Sequence, residues 1–372
     1  MPGKQLKILL AGCGDIGQRL GENLALQHEC FGLRRDVKKI SGPIIPLQAN
    51  LTDRPQILSI LNQEFDVIVA TLTPDEFTES GYRRAYIDTA SSLAEVLQIT
   101  PKMPRLVIWV SSTGVYGENH KWVDEDSPTD PDTFSGNALL KAEQIISDLP
   151  CDTCVVRFSG IYGNRRKGIL NSVLSGVGRP KFPLQWSNRI HFDDCVGTLK
   201  HLIENHASGF SLERIYIATD CEPVTQHELR KWISAQLKIT LTEQPSGGPI
   251  RRRLSNKRLL DSGYAFKFPT FREGYKSLIA DIIKSSAWLL LFIIGAKPPS
   301  SPTDVDKPFF LIRSLKLLIT IKQIRIASEK LLALSGLIMN SCILKPLLAC
   351  APPLIIFING YGNLKLFFNK KV

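Results

Sequence analysis

Short apolar runs alternate with longer stretches in which apolar residues recur every three or four positions. The runs lie at residues 8–11, 30–33, 44–47, 65–70, 106–110 and 154–156. Each is only a few residues long and almost free of charge. That is the pattern of parallel strands covered on both faces. Between the first two runs, Ile16, Leu20, Leu24 and Leu26 fall roughly on one helical face, and 82–97 reads as a long helix. Alternating strands and helices predict an α/β fold, a doubly wound parallel sheet that binds ligands at the carboxyl ends of its strands.

The polar residues that follow these runs carry the candidate chemistry. After the first come Gly12, Gly14 and Gly17, spaced G-x-G-x-x-G between a strand and a helix. Gly12 permits a tight turn, Gly14 a close backbone approach to a pyrophosphate, and Gly17 close helix–strand packing. The helix start, Asp15 and Ile16, offers free N–H groups and a positive dipole end to the phosphates. The Rossmann-type dinucleotide fold is therefore expected. The second run ends in Arg34-Arg35-Asp36. An acidic residue at this strand end normally holds the ribose hydroxyls of NAD, whereas two arginines suit a 2′-phosphate, so NADP is expected rather than NAD. Asn50 is expected to meet the adenine amine, Thr52 or Asp53 to cap the next helix, and Thr71 to lie near the second ribose.

The chain has 372 residues and a net charge of +11. Residues 285–372 hold 11 Lys and Arg against 3 Asp and Glu, leaving 35 against 32 for the rest. The basic excess thus sits in the tail, which argues against a nucleic-acid partner for the main body. Among eight scattered cysteines only Cys151 and Cys154 have C-x-x-C spacing, too few ligands for a zinc site, so no metal is expected. The first apolar run is too short for a secretory signal, and a reducing, cytoplasmic location is expected.

Taken together, Gly12-Cys13-Gly14-Asp15-Ile16-Gly17, Asn50-Leu51-Thr52-Asp53, Ser111-Ser112-Thr113-Gly114-Val115-Tyr116-Gly117, Arg157-Phe158-Ser159-Gly160-Ile161-Tyr162-Gly163 and Asn188-Arg189-Ile190-His191-Phe192-Asp193-Asp194 resemble the short-chain dehydrogenase/reductase superfamily. The match runs over about residues 4–280 and is nearest the extended, atypical NAD-dependent epimerase/dehydratase branch. The resemblance implies a Ser that orients the substrate oxygen, filled by Ser112. It also implies a Lys that holds the nicotinamide ribose, filled by Lys141, and a Tyr acid/base four residues before that Lys, where Asn137 stands instead. An amide cannot supply a proton near neutral pH. Tyr116 and Tyr162 read as packing residues. Arg189 lies on the segment the family uses for anionic substrate groups, and His191 belongs to a turn capping a helix over 195–203.

The domain plan is a cofactor-binding domain over 4–284 and a tail over 285–372. A small substrate lobe is drawn from about 164–190 and 221–275. The tail carries a Pro-rich linker at 298–302 and two uncharged stretches, 331–344 and 347–364, neither able to span a bilayer cleanly. It reads as a poorly ordered appendage, or as a segment resting on an anionic membrane surface. Two functions follow. One is an oxidoreductase or epimerase acting on a small polar or sugar-linked substrate. The other is a sensor or assembly factor that keeps the dinucleotide and has lost the chemistry. A homodimer is compatible with both.

Overall fold

The computed structural model describes residues 5–117, 122–245, 247, 250, 252–293, 355–358 and 364–367. In chain order, β1 (Lys7–Ala11), α1 (Asp15–Leu24), β2 (Glu29–Arg34), β3 (Ile45–Gln48), α2 (Arg54–Leu61) and β4 (Val67–Ala70) come first. A short α3 (Glu79–Tyr82) passes through a π-helical turn, Arg83–Asp88, into α4 (Thr89–Leu97). β5 (Leu106–Ser112), β6 (Trp122–Val123), α5 (Phe134–Ser147), β7 (Asp152–Phe158) and β8 (Gly160–Tyr162) follow. Next are α6 (Gly168–Leu174), β9 (Val177–Gly178), β10 (Trp186–Ser187), β11 (Arg189–His191), α7 (Phe192–Ala207) and β12 (Ile215–Ala218). β13 (Val224–Thr225), α8 (Gln226–Leu237), β14 (Thr242–Glu243), β15 (Arg253–Leu254), α9 (Lys257–Asp261) and α10 (Phe271–Ile293) complete this part.

Seven of these strands form one sheet in the order β12-β7-β5-β4-β1-β2-β3. Every neighbouring pair is parallel. The strand order reverses between β1 and β4, the switch point at which a crevice opens. Alternate residues supply two cores. Leu9, Ile68, Val107 and Val155 join Ile57, Leu93 and Leu139 from α2, α4 and α5 on one face. Ile8, Leu10, Val69, Ile108 and Val156 join Leu20 of α1 and Leu199 of α7 on the other. Both faces are dry, which is why the strands read as unbroken apolar runs.

Several boundaries shift for local reasons. The fourth strand begins at Val67 because the Asp66 carboxylate accepts the Lys7 backbone N–H at 3.0 Å, at the strand's foot. Asp53, rather than Thr52, caps α2 by accepting the Gln56 N–H at 3.1 Å. The helix expected over 82–97 starts earlier and is interrupted by the π turn, where the Thr89 hydroxyl donates to the Arg84 carbonyl at 3.2 Å. The helix expected over 195–203 runs from Phe192 to Ala207. His191 caps it, its Nδ1 accepting the Asp193 N–H at 3.2 Å. Cys154 packs into one core and Cys151 against the other, so the C-x-x-C residues lie on opposite faces of the sheet.

Outside the large sheet, β11 pairs with β8, β10 with β13, β9 with β14, and β15 with β6. The buried Asp194 carboxylate ties this region together. It accepts the Tyr264 hydroxyl at 2.9 Å and the Lys267 and Phe268 N–H groups at 2.7 and 3.0 Å. The chain divides into two compact units, Met1–Ser285 and Ser286–Val372. In the second, the described strands β16 (Ile355–Ile358) and β17 (Leu364–Phe367) form an antiparallel pair. The linker at 298–302 and the uncharged stretch 331–344 lie outside the described residues, as does most of 347–364. No helix among the described residues is long and apolar enough to cross a membrane.

Candidate functional site

The carboxyl ends of β1, β2, β3 and β4 enclose a cleft of about 460 Å³ at the switch point. Gly12, Gly14, Arg34, Arg35, Asn50 and Thr71 all line it. Its glycines differ in what they owe the fold. Gly12 has φ +75°, and a Cβ there would stand 2.8 Å from Leu72 Cδ2. A Cβ on Gly17 would stand 2.9 Å from the Thr71 hydroxyl. Both are needed by the protein itself. Gly14 is not: its φ of −84° suits any residue, and a Cβ would meet nothing closer than the Gly12 carbonyl at 3.7 Å. The bare backbone at Gly14 borders open cleft, the room that a pyrophosphate at a helix N-terminus requires. Gly14 also gives α1 no side-chain cap, so its first N–H groups stay free for such a ligand.

The loop is held rigidly. Gly12 and Cys13 both donate their N–H to the Leu33 carbonyl at 3.1 Å, and the Thr71 hydroxyl donates to the Gly12 carbonyl at 3.1 Å. Burial pushes the Cys13 thiol up to about 11, so it stays protonated and serves as packing. Arg34 donates to the Cys13 carbonyl at 2.9 Å, which spends one of its N–H groups on the loop. Arg35 forms a two-pronged ion pair with Asp75 at 2.8 and 2.6 Å. Both partners are well exposed, so little free energy holds them together and Arg35 can change partners cheaply. Asp36 is occupied with the Lys38 N–H at 3.2 Å. The Asn50 side-chain oxygen accepts from Thr52 N–H and hydroxyl at 3.3 and 3.1 Å, and the residue lines the cleft. Asp15 faces Arg166, 3.4 Å away.

The residues expected to carry chemistry come from two elements, β5 and α5. Ser112 ends β5, half-buried, its hydroxyl oxygen accepting the Gly114 N–H at 3.2 Å. Asn137 and Lys141 share an exposed stripe of α5, with Gln144. The opposite stripe, Gly136, Leu139, Ala142, Glu143 and Ile146, is the buried one. The four-residue spacing does put 137 and 141 on one face, but that face looks away from the packed side of the helix. Neither lines the cleft.

Sequence reasoning missed what α5 does present inward. Glu143, buried, accepts from Arg157 Nη2 at 2.6 Å and from Nε at 3.2 Å, and it also takes a short hydrogen bond from the Ser111 hydroxyl. Arg157 Nη1 donates to the Tyr116 hydroxyl at 2.6 Å. Burial pushes the Tyr116 phenol up to about 12, so it is a poor proton donor and holds its place as a packing residue. The signal was present as a Glu inside a helix and an Arg inside an apolar strand, both unusual unless paired. Tyr162 is also buried, stacked on Tyr275 with centroids 4.5 Å apart. Among the described residues no group of three or more His, Cys, Asp or Glu side chains could hold a metal.

A parallel sheet of this strand order, with its glycine turn and cleft at the switch point, defines an NAD(P)-binding fold of the Rossmann type. The chain belongs to the RmlD substrate binding domain family, whose model matches residues 6–246, within the NAD-dependent epimerase/dehydratases. A solved structure from Methylobacillus flagellatus, provisionally described as an NAD-dependent epimerase/dehydratase, is 33% identical. It superposes with a TM-score of 0.65 over 75% of this chain and 99% of that one. The UDP-glucuronic acid 4-epimerase of Bacillus cereus, solved with UDP-glucuronic acid and NAD, is 16% identical with a TM-score of 0.62, covering 73% and 97% of the two chains; it shares the fold. Among curated proteins, an N-acetyl-alpha-D-glucosaminyl-diphospho-ditrans,octacis-undecaprenol 4-epimerase of Escherichia coli O157:H7 is 25% identical over 55% of this chain. Protein YeeZ of Escherichia coli K12 is 28% identical over 39% of it. The matches span 65% and 48% of those two relatives' own lengths.

Proposed function

We propose that the protein holds NADP in the switch-point cleft and acts as an oxidoreductase or epimerase on a small, sugar-linked substrate. The observation that carries the reading is Gly14, a glycine the fold does not need, facing open cleft between two glycines that the fold does need. The pyrophosphate would lie on the N–H groups of Asp15 and Ile16, the adenine near Asn50, and the nicotinamide ribose beyond Thr71. Arg34 and Arg35 support NADP: both line the cleft, and Arg35 would exchange a weak surface ion pair for a 2′-phosphate. When bound, the cofactor supplies the hydride chemistry. Ser112, at the end of β5, would then orient the substrate oxygen.

A second reading is favoured by one specific observation. Asn137 and Lys141 lie on the outer stripe of α5, and Tyr116 is locked onto Arg157. A protein that keeps the dinucleotide without turning over a substrate fits that arrangement. The two readings share the cofactor and differ in the proton. Fluorescence titration with NADPH and NADH tests the shared part: NADPH binds more tightly, and Arg34→Ala with Arg35→Ala erodes the preference by about 1–3 kcal/mol. Equal affinity for both cofactors would overturn the assignment to NADP. Turnover assays with UDP-sugars and NADPH or NAD then separate the two readings, since only the enzyme interconverts or reduces a substrate.

A further inference from the structure

The two arginines at the end of β2 are engaged differently. Arg34 spends an N–H on the neutral Cys13 carbonyl, and no carboxylate pairs with it among the described residues. Arg35 meets the Asp75 carboxylate with both prongs of its guanidinium, at 2.8 and 2.6 Å. Asp75 belongs to the loop after β4, so the pair joins the β2 side of the dinucleotide cleft to the β4 side, and both residues line that cleft. The loop holds Asp75 in place without help from Arg35. At its start the Thr71 hydroxyl donates to the Gly12 carbonyl at 3.1 Å, and at its end the Thr78 hydroxyl accepts the Gly81 N–H at 3.1 Å. Between these points the Phe77 ring lies edge-on to Tyr82 and Phe134, with centroids 5.4 and 5.3 Å away. The Glu76 carbonyl rests against Gly81, where a Cβ would collide with it. The Arg35 side chain, by contrast, is 65% exposed and has no packing to fix it. Its guanidinium also holds the Asp75 carboxyl below the usual carboxylate range, so Asp75 is an anion throughout the neutral range.

A fixed carboxylate thus occupies the fork of the one arginine that is free to move. We propose that Asp75 is a specificity-determining residue: it competes with the 2′-phosphate of NADP for Arg35, and so holds the preference for NADP below what two arginines at this strand end would give. A carboxylate and a phosphate offer a guanidinium the same two-oxygen acceptor. A phosphate that takes the fork must displace Asp75 or lie beside it, and two anions at that range repel each other. NADH carries a hydroxyl at the same position. It asks nothing of Arg35 and leaves the ion pair intact. Asp75 has this role only if the cleft is a dinucleotide site, so the competition rests on that reading.

NADPH and NADH, titrated calorimetrically into the full chain and its variants, test the competition. Asp75→Ala should bind NADPH about two- to fivefold more tightly than the parent, the scale of one exposed ion pair, and NADH within about twofold. In an Arg35→Ala background the same change should bring no gain, because the contested fork is gone. Glu76→Ala removes the same charge from the same loop, but its partner is Arg84, 3.9 Å away, so it should bring no selective gain for NADPH. Asp75→Asn keeps an acceptor without the charge; it should give part of the gain and carries the test if Asp75→Ala does not fold. The competition is overturned if Asp75→Ala leaves NADPH affinity unchanged or lowers it, or tightens both dinucleotides alike. It is equally overturned if the gain persists without Arg35 or is matched by Glu76→Ala. A parent that binds the two cofactors alike and turns to NADPH in Asp75→Ala would uphold the competition and overturn the assignment to NADP. A parent that binds neither would overturn both.

Discussion

At the scale of single residues, the glycine loop separates what the fold requires from what a ligand requires. Gly12→Ala forces a side chain into a left-handed backbone and against Leu72. It should destabilise the protein by about 1–3 kcal/mol, read as a lowered denaturant midpoint. Gly14→Val meets neither obstacle at its Cβ, so it should cost no more than the roughly 1 kcal/mol of a poorer N-cap on α1 while losing the dinucleotide. The spacing of the three glycines, and with it the expectation that Gly14 approaches the pyrophosphate, was legible in the sequence; what crowds Gly12 and Gly17 was not, because that depends on how Leu72 and Thr71 close over the loop. His191 gives a prediction in pH. Burial lowers its pKa in the folded protein, so the unfolded chain takes up a proton first as pH falls. Its contribution to stability is therefore full above the unfolded value near 6.5 and is lost below it. His28 is shifted in the same direction by burial. Chemical denaturation between about pH 7 and 5 should show stability falling, and His191→Asn, which can still cap α7, should flatten the slope in part. An unchanged slope would mean that His191 is protonated in the native state.

Among the elements, α5 shows how far periodicity carries and where it stops. Spacing of four residues places two side chains on one helix face, but it does not say which face meets the sheet. The inward face is chosen by Glu143, whose carboxylate is claimed by Arg157 from β7. That partnership is non-local and cannot be read from either segment alone. It leaves Asn137 and Lys141 on the exposed stripe of α5, so Lys141→Ala should leave stability unchanged within about 0.5 kcal/mol. By contrast, Arg157→Met leaves the Glu143 carboxylate buried and unpaired, and it should cost about 3–5 kcal/mol in urea denaturation. A tolerant Arg157→Met would show that α5 sits in another rotation. The strands were legible because both faces of the sheet are dry, so each reads as an apolar run regardless of its neighbours. The paired strands of two or three residues, β8–β11 and β13–β15, carry no such signal, being too short for any period. The π turn at Arg83–Asp88 was equally hidden, since its sequence is that of an ordinary helix.

For the whole molecule, the recognisable motifs and the cleft fall inside the unit Met1–Ser285. A chain ending after Ile293, the close of α10, should therefore fold cooperatively and bind dinucleotide as the full chain does. Insoluble or cofactor-blind protein would show that residues beyond 293 complete the core. If the switch-point cleft is a working NADP site, its openness depends on Gly14. Isothermal titration of NADPH and NADH into the parent and into Gly14→Val tests it most directly. The parent should show one site per chain, tighter for NADPH, and a folded Gly14→Val protein should give no heat of binding. Dinucleotide affinity that survives Gly14→Val unchanged, or a well-folded parent that binds neither cofactor, would contradict it.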